Sequence, residues 1–171
     1  MLSKANAKKN HKSNVKKETD KSKNKKVKSQ SAKSVKNLDV GFGDVGNNGC
    51  GIIAIHNTKV LSDKESTLSD TIKDVQDAGG LLLGGKFGVN PLVIDDVLEI
   101  SGIECTPVSL NELNTPGAYI IAFWNSDSIM DGAHFVTVEY DGNTYTSYNY
   151  NGDELNPLIY AKNYIYGYRI H

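Results

Sequence analysis

Asn47-Asn48-Gly49-Cys50-Gly51-Ile52-Ile53-Ala54-Ile55-His56-Asn57 places one cysteine between two glycines, at the head of an apolar run. The run predicts a helix over residues 50–61 with apolar side chains on more than one face, the pattern of a helix buried between layers. A thiol in the first turn of such a helix meets the positive end of the helix dipole, which favours thiolate over thiol. Cys50 is therefore a candidate nucleophile.

A nucleophilic cysteine needs a base, and the base needs an orienting group. Working outward, Gly132-Ala133-His134-Phe135-Val136-Thr137-Val138-Glu139-Tyr140 reads as a strand with His134 near its start. Thr144-Tyr145-Thr146-Ser147-Tyr148-Asn149 reads as its hairpin partner, joined through Asp141-Gly142 as a two-residue turn. Folding the hairpin back carries Asn149 towards His134, where its amide oxygen could hold an imidazole N–H. Asn151 lies two residues further on, and strand register could exchange the two.

Helices precede strands along the chain. Lys64 to Ala78 predicts an amphipathic helix with Leu68, Ile72 and Val75 at helical spacing, stopped by Gly79-Gly80. Asn90-Pro91 reads as a cap followed by proline at the first helical position, opening a helix through Ile100. After Gly102 the period changes: Ile103 to Val108, Ala118 to Trp124, Phe135 to Tyr140, Thr144 to Tyr148 and Tyr164 to Ile170 are β-branched and aromatic runs bounded by turns. Helices first and an antiparallel sheet second is the α+β order.

Gly-Cys-Gly at the head of an apolar helix, a later Gly-x-His-Phe-Val-x-Val strand and an Asn one hairpin further on resemble the papain-like cysteine peptidases. The nearest branch is the peptidase C39-like group, which includes bacteriocin-leader processing domains and small papain-like domains at the C-termini of bacterial polymorphic toxins. The resemblance covers roughly residues 44–171. It implies an α+β papain-like fold in which N-terminal helices, with the nucleophile on the central one, pack on a C-terminal antiparallel β-sheet. Carried over by position, it makes Cys50 the nucleophile, His134 the general base and then acid, and Asn149 the orienting residue. One position departs from the family pattern. Where papain-like enzymes place a Gln about six residues before the cysteine, this chain has Asp44, whose carboxylate repels a developing oxyanion. Asn47, Asn48 and Gly49, with the backbone N–H of Cys50, are then the oxyanion or substrate-binding candidates.

Composition divides the chain. Residues 1–38 carry 13 lysines against Glu18 and Asp20, a balance of +11, whereas residues 39–171 carry 6 Lys or Arg against 18 acids, a balance of −12. Residues 1–38 have too few apolar side chains to bury a face and read as a disordered Lys-rich tail or linker. Non-specific attraction to nucleic acid or anionic lipid is the alternative role, and without aromatic interleaving no specific nucleic-acid reading is expected. Residues 39–171 form the domain, its 39% hydrophobic parent chain being long enough for one core. Cys50 and Cys105 give no disulfide framework and read as free thiols in a reducing compartment. The N-terminal lysines precede no apolar stretch, so no secretory signal is read, and no run is long enough to span a bilayer.

Three features compete for attention. Gly80-Leu81-Leu82-Leu83-Gly84-Gly85-Lys86-Phe87 nearly spells a phosphate-binding loop, but Phe87 stands where a hydroxyl is needed and the segment follows a helix. It reads as a loop that could border a cleft. His56, His134, His171 and two distant cysteines offer no pair at metal-ligand spacing, so no metal and no cofactor are expected. Cys105 reads as a small buried hydrophobe, His56 as a satisfied core or surface histidine, Asp95, Asp96 and Glu99 as a solvated helix face, and the loop from Trp124 to Asp131 as a turn or a cleft wall.

Together these readings predict a cysteine-dependent amide hydrolase, foremost a peptidase acting as a bacterial toxin effector. Its substrate would be a protein or peptide, its site of action the cytoplasm of a target cell, reached as part of a larger toxin, and a cognate immunity protein would cover the cleft of the monomer. Side-chain deamidation or another acyl transfer is the alternative chemistry. A papain-like binding module that has lost catalysis, with Asp44 as the sign of the loss, is the alternative class.

Overall fold

The computed structural model describes residues 20–124, 132–150 and 163–171. Residues 1–19 of the tail, most of the loop to Asp131, and Asn151 lie outside the described residues.

A two-strand hairpin, β1 (Asp39–Val40) and β2 (Gly43–Asp44), runs into the short helix α1 (Val45–Asn48) and then into α2 (Cys50–Leu61), α3 (Leu68–Asp77) and α4 (Ile94–Ile100). The strands β3 (Cys105–Val108), β4 (Gly117–Trp124), β5 (Ala133–Tyr140), β6 (Tyr145–Tyr148) and β7 (Tyr164–Ile170) form one antiparallel sheet in the order β3-β7-β4-β5-β6. The described residues are α+β, four helices followed by a five-stranded sheet.

Alternation along β4 and β5 sorts their side chains between two cores. Ile120, Ala122 and Phe135 join Ile52, Ile53, Ile55, Val40 and Val45 on the face that carries α2. Tyr119, Ile121, Phe123, Val136 and Val138 build a second core on the opposite face, with Leu113. Each fully buried Ile contributes about 1.5–3 kcal/mol, so the first core holds α2 on the sheet. Thr137 Oγ1 adds a donor bond to the main-chain oxygen of Ala54 in α2, at 3.0 Å.

From Gly51 to Lys59 every residue of α2 is buried, including His56, Asn57 and Thr58. Those polar groups explain a correction. The expectation of a disordered tail through residue 38 fails for residues 20–38, which form an ordered strap over α2. Asn57 acts like a strand partner: its Oδ1 accepts from Val27 N at 2.7 Å and its Nδ2 donates to Val27 O at 3.0 Å. His56 Nε2–H donates to Lys25 O at 2.9 Å, and Ser22 Oγ accepts from Leu68 N at 2.7 Å. Val27 and Val35 are buried beneath the strap. Among the described residues two buried valines, with Ala32 and Leu38 part-buried against the core, are the strap's apolar anchors, so composition concealed an order built largely on backbone pairing.

The strap also shortens α3. The predicted start at Lys64 gives way to Leu68 because Ser66 pairs with Asn24, accepting at its carbonyl and donating from its N–H to Asn24 Oδ1. Thr67 then caps the helix, its side chain accepting from Asp70 N. The Asn90 cap forms as predicted, accepting from Leu92 N at 3.1 Å, but Pro91–Val93 is a 3-10 turn and α4 begins at Ile94. The two-residue hairpin turn is corrected to a four-residue loop between Tyr140 and Tyr145, closed by Asp141 Oδ1 accepting from Asn143 N and Thr144 N. Among the described residues no helix is long and apolar enough to cross a membrane.

Candidate active site around Cys50

Cys50 is the first residue of α2, and the glycines beside it answer to packing. A Cβ on Gly49 would lie 2.5 Å from Val45 O, because α1 turns directly into α2 there; a Cβ on Gly51 would lie 2.8 Å from Val89 Cβ. Val89 belongs to the Gly80–Gly88 loop's exit and pairs with Leu81 in a β-bridge, so the loop that resembled a phosphate cradle packs the Val89 side chain against the start of α2.

The sulfur lies among apolar neighbours, packed against the core that contains Phe135, with Tyr166 alongside. Burial pushes the thiol up, and the main-chain N–H groups of Phe135, Gly51 and Cys50 oppose this only in part. The thiolate expected from the helix dipole is thus corrected: one end of a dipole does not offset desolvation by burial. Tyr166 is a residue that sequence reading passed over. Among the described residues its buried hydroxyl has no hydrogen-bond partner, and burial foremost, with the Cys50 charge among lesser causes, raises its phenol.

His134 stands directly opposite Phe123 in the β4–β5 register, and the two rings meet edge-on at 5.8 Å. Phe123 belongs to the second core, so the imidazole lies on the sheet face away from α2, while the next residue, Phe135, faces Cys50. Among the described residues no hydrogen bond joins Cys50 to His134. The His134 Nε2–H donates to the main-chain oxygen of Asn149 at 2.6 Å. Burial lowers the imidazole below its ordinary value and the Asn149 carbonyl partly restores it, leaving the neutral ring favoured at pH 7.

Asn149 does reach His134, through its carbonyl and not through its side chain. Its φ of +69° turns the main chain into the left-handed region, which Asn tolerates. The buried side chain faces the strap, Oδ1 accepting from Gln30 N at 2.8 Å and Nδ2 donating to Gln30 Oε1 at 3.4 Å. The Asn149 N–H donates to Lys28 O at 3.1 Å. Gln30 is the second residue that sequence reading missed, because it sits in a segment that looked like linker.

Asp44 caps α1, its Oδ1 accepting from Asn47 N at 2.9 Å. The Asn47 carboxamide donates to both Asp44 oxygens at 3.0 Å, so this oxyanion candidate is engaged. Asn48 makes no side-chain hydrogen bond among the described residues. Its Nδ2 lies over Gly43, 2.4 Å from where a Cβ there would stand. His56 is a core histidine, bonded at both ring nitrogens to Ser66 Oγ and Lys25 O, each at 2.9 Å. Cys105 is half-buried and packed against the first core; burial, with Asp95 and Glu99 nearby, pushes its thiol up to about 11. Asp95 is half-buried, while Asp96 and Glu99 are exposed on α4.

Chemically, the cluster offers a protonated thiol at a helix start, a neutral histidine one residue from the strand position that touches that thiol, and the Cys50 and Gly51 N–H groups turned towards the sulfur in the first turn of α2. The chain matches no protein-family model, and no curated protein is significantly similar to it.

Proposed function

We propose that the chain is a papain-like, cysteine-dependent amide hydrolase, foremost a peptidase, with Cys50 as nucleophile and His134 as base and then acid. The observation that carries this reading is the contact of Cys50 with the start of β5: the Phe135 N–H points at the sulfur, and His134, the residue before it, is held by Asn149 on the opposite face of the sheet. The described arrangement is a resting one. Turnover requires the imidazole to reach the α2 face, which a one-residue slip at the start of β5 achieves, because side chains alternate between faces. His134 then takes the Cys50 proton, the thiolate attacks an amide carbonyl, and helix-start N–H groups with Asn48 hold the oxyanion. His134 protonates the leaving amine and water releases the acyl-enzyme. Action as a toxin inside a target cell, held in check by an immunity protein, is part of the same proposal.

The position of His134 beside Phe123, together with the raised thiol, favours one competing reading, a binding module without catalysis. Iodoacetamide labelling of the native protein decides between them, read by mass spectrometry at Cys50 with Cys105 as control. A hydrolase loses at least about tenfold in Cys50 rate at pH 7 on His134→Ala. Equal rates for the two proteins sink the catalytic reading.

A further inference from the structure

Two ends of the candidate site are tied together by one strap residue. Gln30 Nε2–H donates to Gly46 O at 2.9 Å, in α1, the short helix that leads into Cys50's α2. Its main-chain N–H donates to Asn149 Oδ1 at 2.8 Å, and its Oε1 accepts from Asn149 Nδ2 at 3.4 Å. Asn149 is buried and sits at a φ of +69°, and its carbonyl meets His134 Nε2 at 2.6 Å. An Asn in that conformation needs its surroundings to hold it. The described groups that hold its side chain are those of Gln30.

We infer that Gln30 is a positioning residue of the site: by gripping the Asn149 side chain and anchoring that grip on Gly46, it fixes the carbonyl that orients the His134 imidazole. The strap is thereby a working part of the domain. Residues 28–30 tie the hairpin end to α1, so that hydrogen bonds through Asn149 and Gln30 connect the histidine to the short helix preceding the nucleophile's own. This role rests on the hydrolase reading for its catalytic meaning, but its geometry can be tested without turnover.

The test uses the full chain and follows the His134 Hε2 proton by NMR. In the wild type, the Asn149 carbonyl protects this proton from exchange with solvent. Gln30→Ala removes the side-chain bonds to Gly46 O and from Asn149 Nδ2 while the Gln30 main-chain N–H stays on Asn149 Oδ1, and the loosened carbonyl lets Hε2 exchange about tenfold faster, as expected for loss of the side-chain anchor. Gln30→Glu, which keeps the acceptor towards Asn149 Nδ2 and loses the donor to Gly46, gives an intermediate rate. Val27→Ala weakens the strap elsewhere, so it lowers Tm but leaves Hε2 exchange at the wild-type rate. If Gln30→Ala does not fold, Gln30→Met carries the same expectation with the side-chain volume kept. Unchanged Hε2 exchange in a folded Gln30 variant overturns the assignment, as does equal acceleration by Val27→Ala. Failure of the hydrolase reading shows elsewhere, in Cys50 labelling that is indifferent to His134→Ala.

Discussion

His134 and Asn149 meet through a main-chain oxygen, with the imidazole Nε2–H donating to the Asn149 carbonyl at 2.6 Å while the Asn149 carboxamide turns away to Gln30. A carbonyl in this role fixes the Nε2–H tautomer as firmly as an amide oxygen would. It also frees the side chain for structural work, which changes what a mutation at position 149 reports. Asn149→Ala removes the grip of the strap and only indirectly the orienting oxygen, so its effect on His134 should exceed that of Gln30→Ala, which leaves the Gln30 main-chain N–H on Asn149 Oδ1.

Stability should fall as the pH is lowered through the histidine range. Burial lowers the pKa of both His56 and His134. Their native forms are neutral, so the unfolded chain binds more protons once the pH drops below the ordinary histidine value of about 6.5. Stability is therefore fully present above that pH and lost on descending towards the native values, by at most about 1.4 kcal/mol per pH unit for each histidine. Urea melts between pH 8 and pH 5 check this. A flat profile would mean that neither histidine is as desolvated as its packing requires.

The strap should depend on Asn57. Its side chain is fully buried and serves both the N–H and the carbonyl of Val27. Asn57→Ala leaves those two main-chain groups unpaired and opens a cavity, a loss of about 2–4 kcal/mol. Trypsin cleavage at Lys25 and Lys28 should appear under conditions where the wild type resists. The same variant with intact strap protection would show that the valines alone hold the segment.

Gly51 and Val89 should behave as a coupled pair. An alanine methyl at position 51 would lie 2.8 Å from Val89 Cβ, so Gly51→Ala is expected to destabilise by about 1–3 kcal/mol despite the higher helix propensity of alanine. Val89→Ala on the same background should recover most of the loss, and a double-mutant cycle from thermal melts measures the coupling. Additive effects would place the clash elsewhere.

Cys105 should label far more slowly than an ordinary thiol at neutral pH, with a midpoint near 11 set by burial and by Asp95 and Glu99. Asp95→Asn should lower that midpoint by removing one of the charges. This makes Cys105 a quiet internal reference for Cys50. Rapid Cys105 labelling at pH 7 would contradict its packing against the first core.

Much of the architecture was legible in residue order. Apolar runs with helical period in the first half, and β-branched and aromatic runs in the second, placed α2 and all five strands of the sheet within a few residues. Their type depends on local periodicity, which a linear reading can see. The hairpin that returns Asn149 to His134 was legible for the same reason, although its loop is longer than the Asp-Gly signal suggested.

Face and partner were not legible. Whether His134 looks towards Cys50 depends on the pleat of β5 relative to α2, and a single residue of register reverses it. The state of the Cys50 thiol followed from its burial, a three-dimensional quantity that outweighed the helix dipole. The order of residues 20–38 rests on Asn57, His56 and Ser66, which are distant in sequence and supply hydrogen bonds where the lysine-rich segment supplies almost no apolar area. Periodicity along the chain determined which elements form; the pairing of buried polar groups across the chain decided where the strap lies and which way the histidine faces.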